Sequence, residues 1–167
     1  LPDLERYMVS YPEVLTVQQT FNRPQVEDVA ATVREELSQS SLVNVVRQGD
    51  RVAITAGSRG ITDIKTILRT AVAFFKECGA VPFVVPSMGS HGGATAAGQL
   101  KVLAGLGLTE ESLDCPIDSN MQTVLLETTA DGIPVYFDQV ASQADHVLVC
   151  GRVKLHTGFA GVYQSGL

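Results

Sequence analysis

The chain has 167 residues, enough for one domain with a real core, and 45% of them are apolar against 18% charged, a globular balance rather than a disordered one. Asp and Glu number 18 against 12 Lys and Arg, a net charge of −6, and no Lys/Arg block occurs, which argues against nucleic acid as a partner. No basic, apolar leader opens the chain and no apolar run approaches the ~18 residues of a membrane span, so the expectation is a cytoplasmic protein without a membrane partner.

In chain order, LTVQQTF (15–21) has the β-branched and aromatic content of a strand. Residues 22–25 read as a helix start, with Pro24 near the first helical position and Gln25 able to reach back. Val26, Val29, Ala30, Val33 and Leu37 follow at helical spacing and predict an amphipathic helix over 25–39. RVAITA (51–56), introduced by the turn Gln48-Gly49-Asp50, predicts a short apolar strand, and the loop GSRGIT follows. Thr62 can then cap a helix whose buried face is Ile64, Ile67, Leu68, Ala71, Val72, Phe75 and Cys78, closed by Gly79.

VPFVVP (81–86) predicts the next strand, which runs into SMGSHGGAT (87–95). Residues 95–106 read as a helix weakened by Gly98 and Gly105, and a helical turn follows Thr109. TVLLETT (123–129) and IPVYFD (133–138) are joined through Asp131-Gly132, a hairpin signal. A further helical turn falls at 140–144, and HVLVCG (146–151) predicts a last buried strand before the loop RVKLHTGFAG. Cys78, Cys115 and Cys150 are odd in number, widely spaced and form no CxxC pair, and read as reduced thiols packed in a core.

Strand and helix alternate through the middle, and the strands are apolar on both faces. The fold class expected is α/β, a Rossmann-like layered domain with a mostly parallel sheet flanked by helices and a β-hairpin near 123–138. Residues 1–167 are expected to form a single α/β domain, the N-terminal part of a longer two-domain chain, because the first residue is not Met and YQSGL ends without a closing helix.

Ligands of open α/β sheets gather beyond the carboxyl ends of the strands. Three such ends carry polar, glycine-rich loops: 57–60 with Arg59, 87–93 with His91, and 151–161 with His156. An imidazole has an unperturbed pKa near ~6.5, so two of them can supply one base and one acid. Inverting a carbon that bears a hydrogen needs proton handling on two opposite faces, which histidines on separate loops can give. Arg59 suits a carboxylate, which its planar fork binds through two nitrogens. The glycines allow close backbone approach and offer amides to a phosphate.

Plainer readings stand beside these. A loop histidine is often a turn residue, and an arginine a solvated one. His146 opens a strand and reads as structural, Cys150 lies in an apolar run and reads as core, and Asp118, Asp131 and Asp138 read as turn or cap residues. The glycines of 89–93 match neither GxGxxG nor GxxxxGK[ST]. From the residues alone, an enzyme and a nucleotide- or phosphate-binding α/β module without catalysis both remain open. A zinc hydrolase using His91, His156 and Cys150 needs three ligands converging on an open position, which spacing does not show.

VAITAGSRGI, GAVPFVVPSMGSHGGAT, IPVYFDQVASQADHVLVCGRVKLHT and GFAGVYQSGL, in that order, resemble the nickel-dependent lactate racemase family, in particular its N-terminal catalytic domain. The likeness covers most of residues 45–167. It implies an isomerase that racemises or epimerises a small-molecule 2-hydroxy acid with a nickel-pincer mononucleotide, a pyridinium-derived group holding nickel through carbon and sulfur. It also implies His91 and His156 as the acid/base pair, one on each side of the 2-carbon. One takes the hydroxyl proton while hydride passes to the cofactor, and the flat 2-keto species receives hydride back on its other face. Arg59 matches the substrate-binding arginine, and Ser58, Ser90, Gly92 and Gly93 are expected near the cofactor.

Two departures from the family pattern shape the expectation. Many members read Asp-x-x-Arg in the first loop, where this chain has Ala56, so the substrate need not be lactate. The family's tethering lysine and a nickel-binding histidine follow the second histidine. Neither occurs through Leu167, and Lys154 precedes His156. No metal ligand and no covalently bound cofactor are therefore expected on these residues, which alone are expected to be inactive.

Overall fold

The fold is organised around one short strand, β1 (Arg51–Ala56), in which every position after the first is buried. A computed structural model of the protein describes residues 12–22, 24–58, 60–152, 154–155, 158 and 160–162. β2 (Val81–Pro86) runs parallel to β1 in a register from Arg51↔Val81 to Ala56↔Pro86. On the other side of β1 lies β5 (His146–Leu148), also parallel, with Val52 opposite His146. The order is β2-β1-β5, and one further parallel bridge, Val84↔Ile117, extends the sheet past β2. Parallel strands cannot be joined by a tight turn, and each crossover here carries helix, as that geometry requires.

The pleat sends alternate side chains to opposite faces. Val52, Ile54, Ala56 and Val84 meet α2 (Ile64–Glu77) through Leu68, Ala71, Val72 and Phe75, with Leu103 of α3 (Ala96–Gly105) and Leu113 of α4 (Glu110–Leu113) in the same core. α1 (Val29–Gln39) adds Leu37, its one buried residue, and is tied to α2 by the Arg34–Glu77 ion pair at 2.5 Å. The opposite face holds Ala53, Phe83 and Val85 under Ala141, with Phe137, Val140 and Ala144 packed around them. That second layer is therefore a hairpin end and a single 3-10 turn (Ala141–Gln143) rather than a long helix. The hairpin pairs β3 (Thr123–Thr128) with β4 (Pro134–Asp138) antiparallel, and Gly132 takes the left-handed backbone (φ 81°) its turn needs.

The α/β layering and the hairpin agree with the sequence expectation, and several local expectations do not: the N-cap of α2 is Asp63 rather than Thr62, and the strand expected buried over 146–151 is the short β5, on which Val147 is exposed. Residues 15–21 form no strand: Val14, Leu15 and Val17 are all more than 80% exposed. A β-rich stretch becomes a strand only with a strand to pair with, and none of the described strands pairs with it. α1 begins at Val29 rather than residue 25, because the Asp28 carboxylate accepts the Ala31 amide at 2.9 Å and sets the helix start there. Among the described residues no helix is long and apolar enough to cross a membrane.

Candidate active site

At their amino ends the strands are pinned by acids. The Asp50 carboxylate lies 2.9 Å from His146 Nε2, and the Arg51 amide donates to Asp145 at 2.7 Å. Asp50 also accepts the Arg47 amide. That bond first, and His146 second, hold its carboxyl below the usual range. His146 is thus a structural residue, as its place at the start of a strand suggested.

The carboxyl ends carry the candidate chemistry. The Ser87 amide donates to the Ala56 carbonyl at 2.8 Å, carrying the β1–β2 ladder to its last residue, after which the loops 57–60 and 87–94 leave side by side. There the side chains of Ser58 and His91 meet, with Oγ 2.6 Å from Nδ1. The imidazole is exposed and Ser58 is half-buried.

The histidine loop keeps its shape through backbone contacts that glycine alone permits. Gly92 and Gly93 are both left-handed, at φ 68° and 70°. The backbone of Gly92 lies directly against that of Gly98 in α3: a Cβ on Gly98 would overlap the Gly92 carbonyl oxygen, with the Gly92 carbonyl carbon 2.6 Å away. Thr95 caps α3 by accepting the Gly98 amide at 3.1 Å and donates its hydroxyl to the Gly92 carbonyl at 3.2 Å. The buried Gln99 side chain donates to the Gly89 carbonyl at 3.0 Å. Among the described residues nothing stands within 4 Å of where a Cβ on Gly89 or Gly93 would be.

The chain beyond β5 is stitched to β1. The Cys150 amide donates to the buried Thr55 hydroxyl at 2.9 Å, and Arg152 reaches across to donate to the Gly60 carbonyl at 3.0 Å. The third loop therefore starts against the first. Arg152 was not singled out from sequence, since a lone arginine after an apolar run carries no signal of where it lands. Residues 118–120, of which only Asp118 was read from sequence, as a turn or cap residue, leave the bridge at Ile117 beside β2. There Ser119 donates to the Ala96 carbonyl at 3.1 Å, on the far flank of the histidine loop.

Of the site residues expected from sequence, Ser58, Ser90, His91, Gly92 and Gly93 fall on these two adjacent loops. Arg59 and His156 lie outside the described residues. Ala56, at the family's aspartate position, is wholly buried in the core, so its side chain does not line the open face. Burial pushes the Cys150 thiol above its usual range and that of Cys115 up to about 11. Neither thiol favours the thiolate a metal or a nucleophilic role needs. Among the described residues no three His, Cys, Asp or Glu side chains group to hold a metal ion. The described residues of these loops offer an imidazole, a serine hydroxyl and glycine backbone at the carboxyl ends of β1 and β2.

Residues 7–166 match the family described as the lactate racemase N-terminal domain. No curated protein and no solved structure matches the chain.

Proposed function

Because the chain belongs to the lactate racemase N-terminal domain family, we propose that it is the acid/base part of an isomerase interconverting the stereoisomers of a 2-hydroxy acid. The observation that carries this reading is the 2.6 Å contact between Ser58 Oγ and His91 Nδ1. It seats an exposed histidine beside the loop of Arg59, at the carboxyl ends of two adjacent parallel strands, where α/β sheets bind ligands.

In this reading Arg59 holds the substrate carboxylate and His91 exchanges the proton of the 2-hydroxyl group from one side. His156, on the loop after β5, does the same from the other side, so that one pair serves both stereoisomers. Each histidine alternates between base and acid, a role suited to a group that titrates near neutral pH. The nickel-pincer nucleotide implied by the family likeness supplies the hydride acceptor when bound. The described residues offer it a glycine-lined approach but no nickel donor set.

The test is chiral chromatography of a panel of 2-hydroxy acids, lactate among them, after incubation with the cofactor-loaded enzyme that carries this domain. One stereoisomer pair should interconvert, and His91→Asn should lower that turnover by about 10²–10⁴-fold while substrate still binds. Full turnover in His91→Asn, or no interconversion of any pair, contradicts the proposal. Anion binding without turnover would identify a binding module instead.

A further inference from the structure

We propose that Ser58 is the positioning residue of His91: its hydroxyl oxygen accepts a hydrogen bond from Nδ1–H, which leaves Nε2 as the nitrogen that trades protons with substrate. The inference rests on the acid/base reading above and adds to it the identity of the reacting nitrogen.

Three observations carry it. The Ser58 hydroxyl is the one hydrogen-bond partner of the His91 ring among the described residues, at 2.6 Å from Nδ1. Its location is fixed from both sides: Ser58 is two residues past the end of β1, and the His91 backbone donates to the Met88 carbonyl at 3.2 Å within a loop already held by Gln99 and Thr95. Finally, the two residues come from different loops, so the bond fixes the imidazole relative to the loop of Arg59 and not merely within its own turn.

The direction of the bond follows from the chemistry asked of the ring. A neutral imidazole has one protonated and one bare nitrogen, and the partner of one decides the state of the other. If the serine donated to Nδ1, the neutral ring would carry its proton on Nε2 and could not act there as a base. If the serine accepts, Nε2 is bare and basic. When Nε2 then takes the substrate's hydroxyl proton, the Nδ1–H···Oγ bond persists and strengthens, because its donor has become charged. The ring need not turn during the transfer, and no partner is exchanged.

The experiment is nitrogen-15 NMR of the histidine rings in these 167 residues, which hold 3 histidines, assigned by single substitution. The expected result is a neutral His91 in the Nδ1–H form, shifting toward the tautomer mixture of a free imidazole in Ser58→Ala and restored in Ser58→Thr. In the loaded enzyme Ser58→Ala should lower kcat about tenfold, the worth of one net hydrogen bond, with KM within about twofold. A wild-type His91 in the Nε2–H form overturns the proposal without recourse to any variant. So does a tautomer unchanged in Ser58→Ala. The ring spectrum does not depend on turnover, so a correct tautomer in a protein that racemises nothing would defeat the function proposed above and leave this bond standing.

Discussion

The Asp50–His146 pair shows how one partly buried contact ties strand positions that are distant in sequence. Asp50 ends the turn before β1 and His146 opens β5, so their 2.9 Å contact closes the amino end of the sheet. Because the folded protein holds the Asp50 carboxyl below its ordinary range, the unfolded chain binds the proton more tightly. The stabilisation is therefore complete above the unfolded value of about 4 and disappears as pH falls through the lower folded value. Asp50→Asn should be less stable than wild type at pH 7 in urea denaturation, and the gap should hold down to about pH 4 and narrow below it. A gap that stays constant or widens in acid would show that the carboxylate is not the stabilising group. His146 was legible as structural from its place at the head of a strand, but its partner was not, since nothing local in a sequence pairs positions so far apart. The Ser58–His91 contact escaped the sequence for the same reason: each residue is plain in its own loop.

At the scale of elements, the reading succeeded where a local rule acts alone. The apolar spacing of α2 and the Asp-Gly turn between β3 and β4 each announce themselves within a few residues. It failed where a partner decides: residues 15–21 have strand composition without a strand, and the Ile117 bridge has a strand's pairing without a strand's composition. Gly98 is the informative case. In sequence it only weakens α3, yet in the structure it is the point where α3 and the histidine loop touch backbone to backbone. In a free helix Gly→Ala gains about 1 kcal/mol, but here the methyl group would meet the Gly92 carbonyl. We expect Gly98→Ala to destabilise the protein by about 1–3 kcal/mol, the usual cost of overpacking. It should also perturb the His91 ring signals more than those of His146. Stabilisation by this substitution, read from thermal or urea unfolding, would mean that the loop does not rest on the helix.

Across the whole molecule, the two ends of the sheet divide the work. Acids, a histidine and a guanidinium stacked on Phe83 (4.8 Å from Arg51 to the ring) close the amino end, while the carboxyl end is left to loops and glycine. The fold class and the identity of the loops could be read from sequence because strand–helix alternation places every loop of one kind at one end. How near the loops approach one another could not, because strand order is a property of the assembled sheet. With β1 between β2 and β5, the chain leaving β2 toward His91 and the chain leaving β5 through Arg152 start on either side of the loop that follows β1. The measurement that bears most directly on paired acid/base chemistry is therefore the separation of the His91 and His156 rings in a crystal structure with a 2-hydroxy acid bound. Both rings should face the ligand at ~6–8 Å from each other, which leaves room for one small substrate hydrogen-bonded to each. Rings on opposite faces of the sheet, or a ligand touching neither, would contradict the two-histidine mechanism.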